Sequence, residues 1–357
     1  VNIFLVLIVL VCLAGIKIFP RPDLDSYISQ AHTTQINGLF ILIVFYAHVR
    51  TYIPLVPAAD GWMYGLATGL GQLMVALFLF YSGFGVHESI RRKPGYVDSI
   101  PAKRVAVTWI NFAVAVCMYA LLSVALDREI TVVQTILAMV GWTSVGNSAW
   151  YIFAILVLYV MTFVVYKLLG DLAARMPGAG VALMFGAGLV FGALMWWAKG
   201  SSGAYTFNTV LCYPLGMAWS AFRAPLEARL RGRHGWFLWS VLVATTTAVF
   251  VAVKSVAGLH YLVFQSAALA YCAVAVLVTM VVHFNSPILA WCGRNLFWIY
   301  VLQRLPMLVL SYYGFGESHR YWFVIISFAL TVILSIVMSR LMPRLQRKLL
   351  TTATTGK

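Results

Sequence analysis

The sequence predicts an all-α fold: a polytopic bundle of transmembrane helices, with ten core spans preceded by one N-terminal span. Three observations predict it. Of the 357 residues, 62% are hydrophobic and 10% are charged, and the mean hydropathy is +0.90, far from the usage of soluble domains. The apolar residues come in runs long enough to cross a hydrocarbon core, which takes about 17–25 helical residues. The charges fall between those runs. A net charge of +15 spread in this way belongs to loops held against anionic lipid, so no nucleic-acid partner is expected. The 12 Trp and 18 Tyr suit side chains at headgroup level.

In chain order the apolar segments lie at 3–19, 36–55, 66–86, 105–126, 150–166, 181–198, 205–222, 235–253, 261–282, 296–313 and 321–339. The first has no basic leader and no clear cleavage site, and reads as a retained span rather than a signal peptide. Segment 131–142 is shorter, ends at Gly141-Trp142, and reads as a re-entrant or interfacial piece. The gaps hold no soluble domain, and no internal repeat is evident. The organisation expected is therefore an N-terminal span and connection over 1–35, one transmembrane domain over 36–342, and a basic tail over 343–357.

Basic residues set the direction. The connections 17–35, 87–104, 167–180, 223–234 and 283–295, with the tail from 340, hold 19 of the 25 Lys and Arg. The alternate connections hold five, and Arg304 lies inside a span. Basic loops stay cytoplasmic, so the N-terminus is expected outside and the C-terminus inside. The five cysteines, Cys12, Cys117, Cys212, Cys272 and Cys292, sit in or beside apolar runs without metal-ligand spacing, and read as small apolar residues. No metal, flavin or nucleotide site is expected.

Within the spans, apart from helix ends, the ionisable residues are His48, Arg50 and Arg304. Ionisable groups in a span face a protein interior or a water-filled cavity, and mark functional sites by default. Twelve residues from Ile36 at about 1.5 Å each put His48 roughly 18 Å up its span, in the outer half. Arg304, about eight residues into its own upward span, falls near the midplane, so the two are expected to share a polar cavity. Arg50 reads as a side chain snorkelling to the outer surface.

Asn37 and His48 are eleven residues apart, close to three helical turns, so they share a face about 16 Å apart along the axis. This segment resembles the first core helix of the acyltransferase-3 family of membrane O-acyltransferases, which carries a basic residue, ten intervening residues and a histidine. Here the basic position is Asn37. Further resemblances follow in the family's order. Phe80-Tyr81-Ser82-Gly83-Phe84 is similar to its Phe-x-Ser-Gly-Phe element, and Ile100-Pro101-Ala102-Lys103-Arg104 to its basic cluster, whose second arginine is Val107 here. Asn147-Ser148-Ala149-Trp150-Tyr151 resembles Ser-x-Trp-Tyr/Phe, and Pro214-Leu215-Gly216 weakly matches Phe/Pro-x-Gly. The stretch from Gly293 through Asn295 and Tyr300 to Gln303 resembles Gly-x-Asn-Ser-x-x-x-Tyr-x-x-His, with Gln303 in place of the histidine.

The resemblance covers about residues 30 to 342. It implies transfer of an acyl group, most simply acetyl, from acyl-coenzyme A to a hydroxyl of a cell-surface glycan or lipid-linked sugar in a bacterial cytoplasmic membrane. Acyl-coenzyme A is then a co-substrate, and no bound cofactor is implied. His48 is the natural general base near neutral pH, and Arg304 would steady developing negative charge. Asn37, Ser82, Lys103, Arg104, Trp150, Tyr151, Asn295, Tyr300 and Gln303 are the expected substrate and acyl-coenzyme A contacts. Arg91, Arg92 and Lys93 suit donor phosphates or an ordinary positive-inside loop. Ser82 suits close helix packing as well, and Trp150 and Tyr151 an interfacial belt as well as a sugar platform. Two other readings stay open: a transporter or flippase of a glycan precursor, and a non-catalytic relative that has lost function through Asn37, Val107 and Gln303.

Overall fold

The computed structural model describes residues 2–256 and 261–355. Helix α1 (Asn2–Leu13) leads into a three-residue strand, β1 (Ile16–Ile18), then α2 (Gln30–Val49), α3 (Pro57–Leu70) and α4 (Leu73–Arg92). Helix α5 (Tyr96–Ile100), a π-helical stretch (Pro101–Ala106) and α6 (Val107–Ala125) run on as one rod. Helices α7 (Val132–Met139), α8 (Trp150–Leu169), α9 (Leu172–Arg175) and α10 (Pro177–Lys199) follow. A 3-10 turn (Ser201–Thr206) precedes α11 (Cys212–Leu230), α12 (Gly235–Val256), α13 (Tyr261–Thr279) and strand β2 (Val282–Phe284). The chain closes with α14 (Pro287–Arg294), α15 (Leu296–Leu302), α16 (Arg304–Tyr312), α17 (Phe315–Ser318) and α18 (Arg320–Thr355).

Among the described residues, seven helices are long and apolar enough to cross a membrane: α4, the α5–α6 rod, α8, α10, α12, α13 and α18. They fall on seven of the eleven expected spans. The other four depart from expectation, each for a readable reason. Helix α1 has 12 residues, about 18 Å of rise, because the chain turns at Gly15 into β1. Helix α2 has 20 residues, but its first turns carry Gln30, His32, Thr33, Thr34, Gln35 and Asn37. Segment 205–222 is divided between the 3-10 turn and α11, whose last turns carry Arg223, Glu227 and Arg229. Segment 296–313 is broken at Gln303. Pro306 has no N–H to give the Leu302 carbonyl, and its ring would strike it, which interrupts the helical hydrogen bonds at Gln303 while its backbone stays helical at φ −56° and ψ −29°. Two carbonyls in the turn before it take side-chain donors: Tyr119 donates to Val301 O at 3.0 Å, and the Gln303 side-chain amide to Tyr300 O at 3.1 Å. The tail expected from 343 is not set apart, because α18 runs through it to Thr355.

The basic connections meet at one end of the bundle, as their assignment to one side requires. Strand β1 pairs antiparallel with β2, Ile16 opposite Phe284. Arg231 bonds Asp25 at 2.6 Å, the Tyr27 hydroxyl donates to Glu227 at 2.8 Å, Arg223 lies 3.7 Å from Glu88, and Lys167 pairs with Asp98. Gln346 of α18 reaches Asn111 near the start of α6. These contacts show which connections are neighbours.

Two glycine seams fix the helices that carry the site. Gly83 of α4 meets the backbone of Tyr213, and Gly216 of α11 meets that of Phe80. Gly38 of α2 meets Leu289, and Gly293 of α14 meets Thr34. A Cβ at any of the four would enter a backbone carbonyl, so small residues here let the helices approach closely. Three of these glycines belong to the stretches quoted above, which gives those motifs a packing role. The outer surface is apolar. Leu168, Trp197 and Leu121 are 83%, 85% and 72% exposed, and α12 buries none of its most apolar window, as expected of helices solvated by lipid.

Candidate functional site

Helix α2 begins at Ser29, whose side chain accepts the His32 N–H. It ends one residue after His48, which therefore stands in its last turn. The next element to reach His48 is the loop between α7 and α8. That loop is held by its own hydrogen bonds. Asn147 Oδ1 accepts from Val145 N at 3.1 Å and from Ser144 Oγ at 3.2 Å, and Ser144 Oγ donates to Asn147 O at 2.6 Å. Gly146 takes φ +108°, a conformation that L side chains rarely adopt, with the ends of the Leu308 and Arg128 side chains against it. So fixed, the loop brings Ser148 Oγ to 3.3 Å from His48 Nδ1. Arg304, the residue after Gln303, reaches the same place, and its guanidinium lies 6.0 Å from the Tyr52 ring centroid.

His48, Ser148, Trp150 and Arg304 line one polar cavity of about 270 Å³, together with Trp142, Asn147, Lys199, Tyr205 and Thr206. His48 is partly buried, and Ser148 is buried. With Nδ1 engaged by a hydroxyl, the imidazole presents Nε2 for proton transfer. Arg50, expected at the surface, lies 5.6 Å from the Tyr64 ring centroid and is absent from this lining.

A second cavity, of about 610 Å³, lies on the other stretch of the same α2 face. Gln30, Thr34 and Asn37 line it from α2, Tyr81 and Ser82 from α4, Tyr151 and Tyr159 from α8, with Lys93 and Arg104 as its cations. Ser82 Oγ is 2.8 Å from the Tyr159 hydroxyl, and Arg104 Nε donates to the Tyr96 hydroxyl at 2.9 Å. A neighbouring hollow of about 410 Å³ shares Lys93, Phe84 and Ser89 with it. Between the two main cavities, Ile41 and Val44 fill the α2 face and are buried. Tyr151 packs edge-on against Tyr300, ring centroids 5.4 Å apart.

The expected site residues thus separate into two groups and a remainder. His48, Arg304 and Trp150 meet in the first cavity, and Asn37, Ser82, Arg104 and Tyr151 in the second. Tyr300 and Gln303 are buried and line neither cavity, with the Gln303 Oε1 unpartnered among the described residues. Lys103 is exposed and lines neither cavity. The Asn295 amide donates to Trp291 O at 3.0 Å and closes the end of α14. Arg91 and Arg92 pair with Glu88 at 3.5 and 2.7 Å, while Lys93 faces the second cavity. Sequence reasoning did not single out Ser148, although it sits in a quoted motif. Lys199 and Tyr159 carried no local signal, because helix packing alone brings them in.

The apolar, lipid-facing helices define an integral membrane protein, and two polar cavities lie within its bundle. The acyltransferase-3 family model, described as an acyltransferase domain, matches residues 35–340, and the chain belongs to that family of membrane acyltransferases. No curated protein and no solved structure matches the chain.

Proposed function

We propose that the protein is a membrane O-acyltransferase. It moves an acyl group, acetyl in the simplest case, from acyl-coenzyme A to a hydroxyl of a cell-surface glycan or lipid-linked sugar. The observation that carries this reading is the meeting of His48 and Arg304, from helices remote in sequence, in one cavity large enough for a reacting group. His48 takes the acceptor's hydroxyl proton as that oxygen attacks the thioester carbonyl. The C–O ester bond forms, the C–S bond breaks, and the proton passes to the departing thiolate of coenzyme A. Arg304 stabilises the oxyanion between those events. Ser148 holds the imidazole through Nδ1.

The donor belongs to the larger cavity, at the end where the basic connections gather. Lys93 and Arg104 supply charge for its phosphates, and Asn37 and Ser82 supply hydrogen bonds to its amide arm. The acyl end must then pass the layer of Ile41, Val44, Tyr151 and Tyr300 to reach His48. In the bacterial cytoplasmic membrane this puts the donor inside, the acceptor outside, the N-terminus outside and the C-terminus inside. The departures at Asn37 and Gln303 are compatible with activity. The cavity that Asn37 lines keeps two cations from other helices, and Gln303 keeps hydrogen bonding where no proton need be taken.

A transporter or flippase is the second reading. The helix interrupted at Gln303, beside the cavity that Arg304 lines, is the observation in its favour, since broken helices flank substrate sites in many transporters. The test uses protein in nanodiscs with radiolabelled acetyl-coenzyme A and extracted glycan lipids. Label in the glycan fraction with wild type, absent with His48→Ala, is the expected result. Glycan lipid binding or movement across a bilayer, without any label transfer, would replace the enzyme with the transporter.

A further inference from the structure

The cavity at His48 is charged in one sense only. Its lining carries Arg304 and Lys199 and no carboxylate. Arg128 stands just outside, against Gly146 of the loop that forms one wall. The rest of the wall is built for a sugar. Trp142, Trp150 and Tyr205 give flat aromatic faces, and Ser144, Ser148 and Thr206 give hydroxyls. The reaction itself needs one cation, the group that meets the oxyanion. Lys199 is a second.

Lys199 is placed with care. It ends α10, where the helix dipole favours a cation. Its ammonium donates to Trp142 O at 2.8 Å and lies 4.2 Å from the Trp142 ring centroid. The dipole alone would be served by an ammonium turned to the headgroups. Here the carbonyl and the indole hold it in the wall of the cavity. A polar site that collects two cations and excludes carboxylates attracts anions and rejects cationic ligands.

We propose that the acceptor is an anionic sugar, carrying a carboxylate or phosphate next to the hydroxyl that is acylated, and that Lys199 is the residue that selects it. This rests on the acyltransferase reading above and adds the acceptor's chemical class to it. The cavity's volume of about 270 Å³ is near the lower end of small-molecule sites, so it takes one sugar unit of the acceptor rather than a long chain.

The test compares methyl glucuronide, glucose 6-phosphate and methyl glucoside as probe acceptors with the full-length protein in nanodiscs. Binding is read by tryptophan fluorescence and acetyl transfer by label. Wild type should prefer one of the two anionic probes to the neutral one by about tenfold to a hundredfold, the scale of one charge-assisted hydrogen bond. The preferred probe separates a carboxylate from a phosphate. Lys199→Met should bring the preference toward one, and Lys199→Arg should retain most of it. Equal binding of all three probes to wild type would overturn the proposal, as would a preference that survives in Lys199→Met. If anionic probes bind with the expected Lys199 dependence while no label moves, the anion site stands and the acyltransferase reading fails.

Discussion

The two ends of the α2 face make opposite use of the same helix. Toward its C-terminal end the helix contributes one titratable group, His48, and other elements add hydroxyls, aromatic rings and cations around it. Toward its N-terminal end it contributes only neutral groups, Gln30, Thr34 and Asn37, and the charge comes from Lys93 and Arg104. The sites also differ in size and lining. Ser148 reaches His48 from a loop held by its own hydrogen bonds, with Gly146 at φ +108°. The larger cavity has a mixed wall, in which Tyr81, Tyr151 and Tyr159 stand among threonines, serines and apolar side chains, with Lys93 and Arg104 as its cations. On the proposed reading, the small cavity with the histidine suits bond making, and the large one with two cations suits holding a bulky donor. The difference also shows why loss of a cation at Asn37 does not empty that cavity of charge.

The contrast can be broken at its strongest point first. His48→Ala should lower acyl transfer by about 10²–10⁴, the range for removing a general base, while leaving donor affinity within a factor of about two, since His48 lies outside the donor cavity. Rates by label transfer and affinity by equilibrium binding check both halves. Arg104→Gln should do the reverse, raising the KM for acyl-coenzyme A by roughly 10–100-fold through loss of a charge-assisted contact and changing kcat less. A fall in kcat with KM unchanged would place Arg104 in the chemistry instead. Ser148→Ala should slow kcat by about twofold to tenfold, the effect of one neutral hydrogen bond, because the ring keeps its pocket and loses only its orienting partner. Lys103→Gln should be the mildest. That side chain is exposed and lines neither cavity, so donor KM and thermal stability should shift no more than a surface substitution does, within about twofold. A large rise in donor KM would merge Lys103 with Arg104 and enlarge the donor site.

Legibility in the sequence followed how local each signal was. Runs such as 150–166 and 261–282 showed as helices because periodicity does not matter when every face is apolar. The broken helix was readable in principle, since Pro306 lies in the sequence three residues after Gln303. Length and hydropathy alone smoothed over it. Helix α2 was shifted by six residues at each end, from 36–55 to 30–49, because its first turns are polar and largely unburied, His32 excepted, and a hydropathy window passes over helical turns of that kind. At the site, His48 and Arg304 were legible as charges in lipid, and their meeting followed from their depths. Their distance from Asn37 and Arg104 also followed from depth, but the division into two separate cavities was not legible, because it depends on how side chains such as Tyr151 and Tyr300 pack. Lys199 read only as one basic residue in a loop, and its place beside Trp142 is a fact of tertiary structure.

The central claim is that donor and acceptor occupy opposite ends of one bundle and react at the His48 end. Its most direct test uses proteoliposomes of fixed, uniform orientation. Labelled acetyl-coenzyme A is supplied on the side of the basic connections, and the glycan acceptor on the other. Labelled acceptor is expected in that arrangement with wild type, none with His48→Ala, and none when donor and acceptor are both confined to the acceptor side. Transfer that proceeds only when both substrates share the acceptor side would contradict the claim.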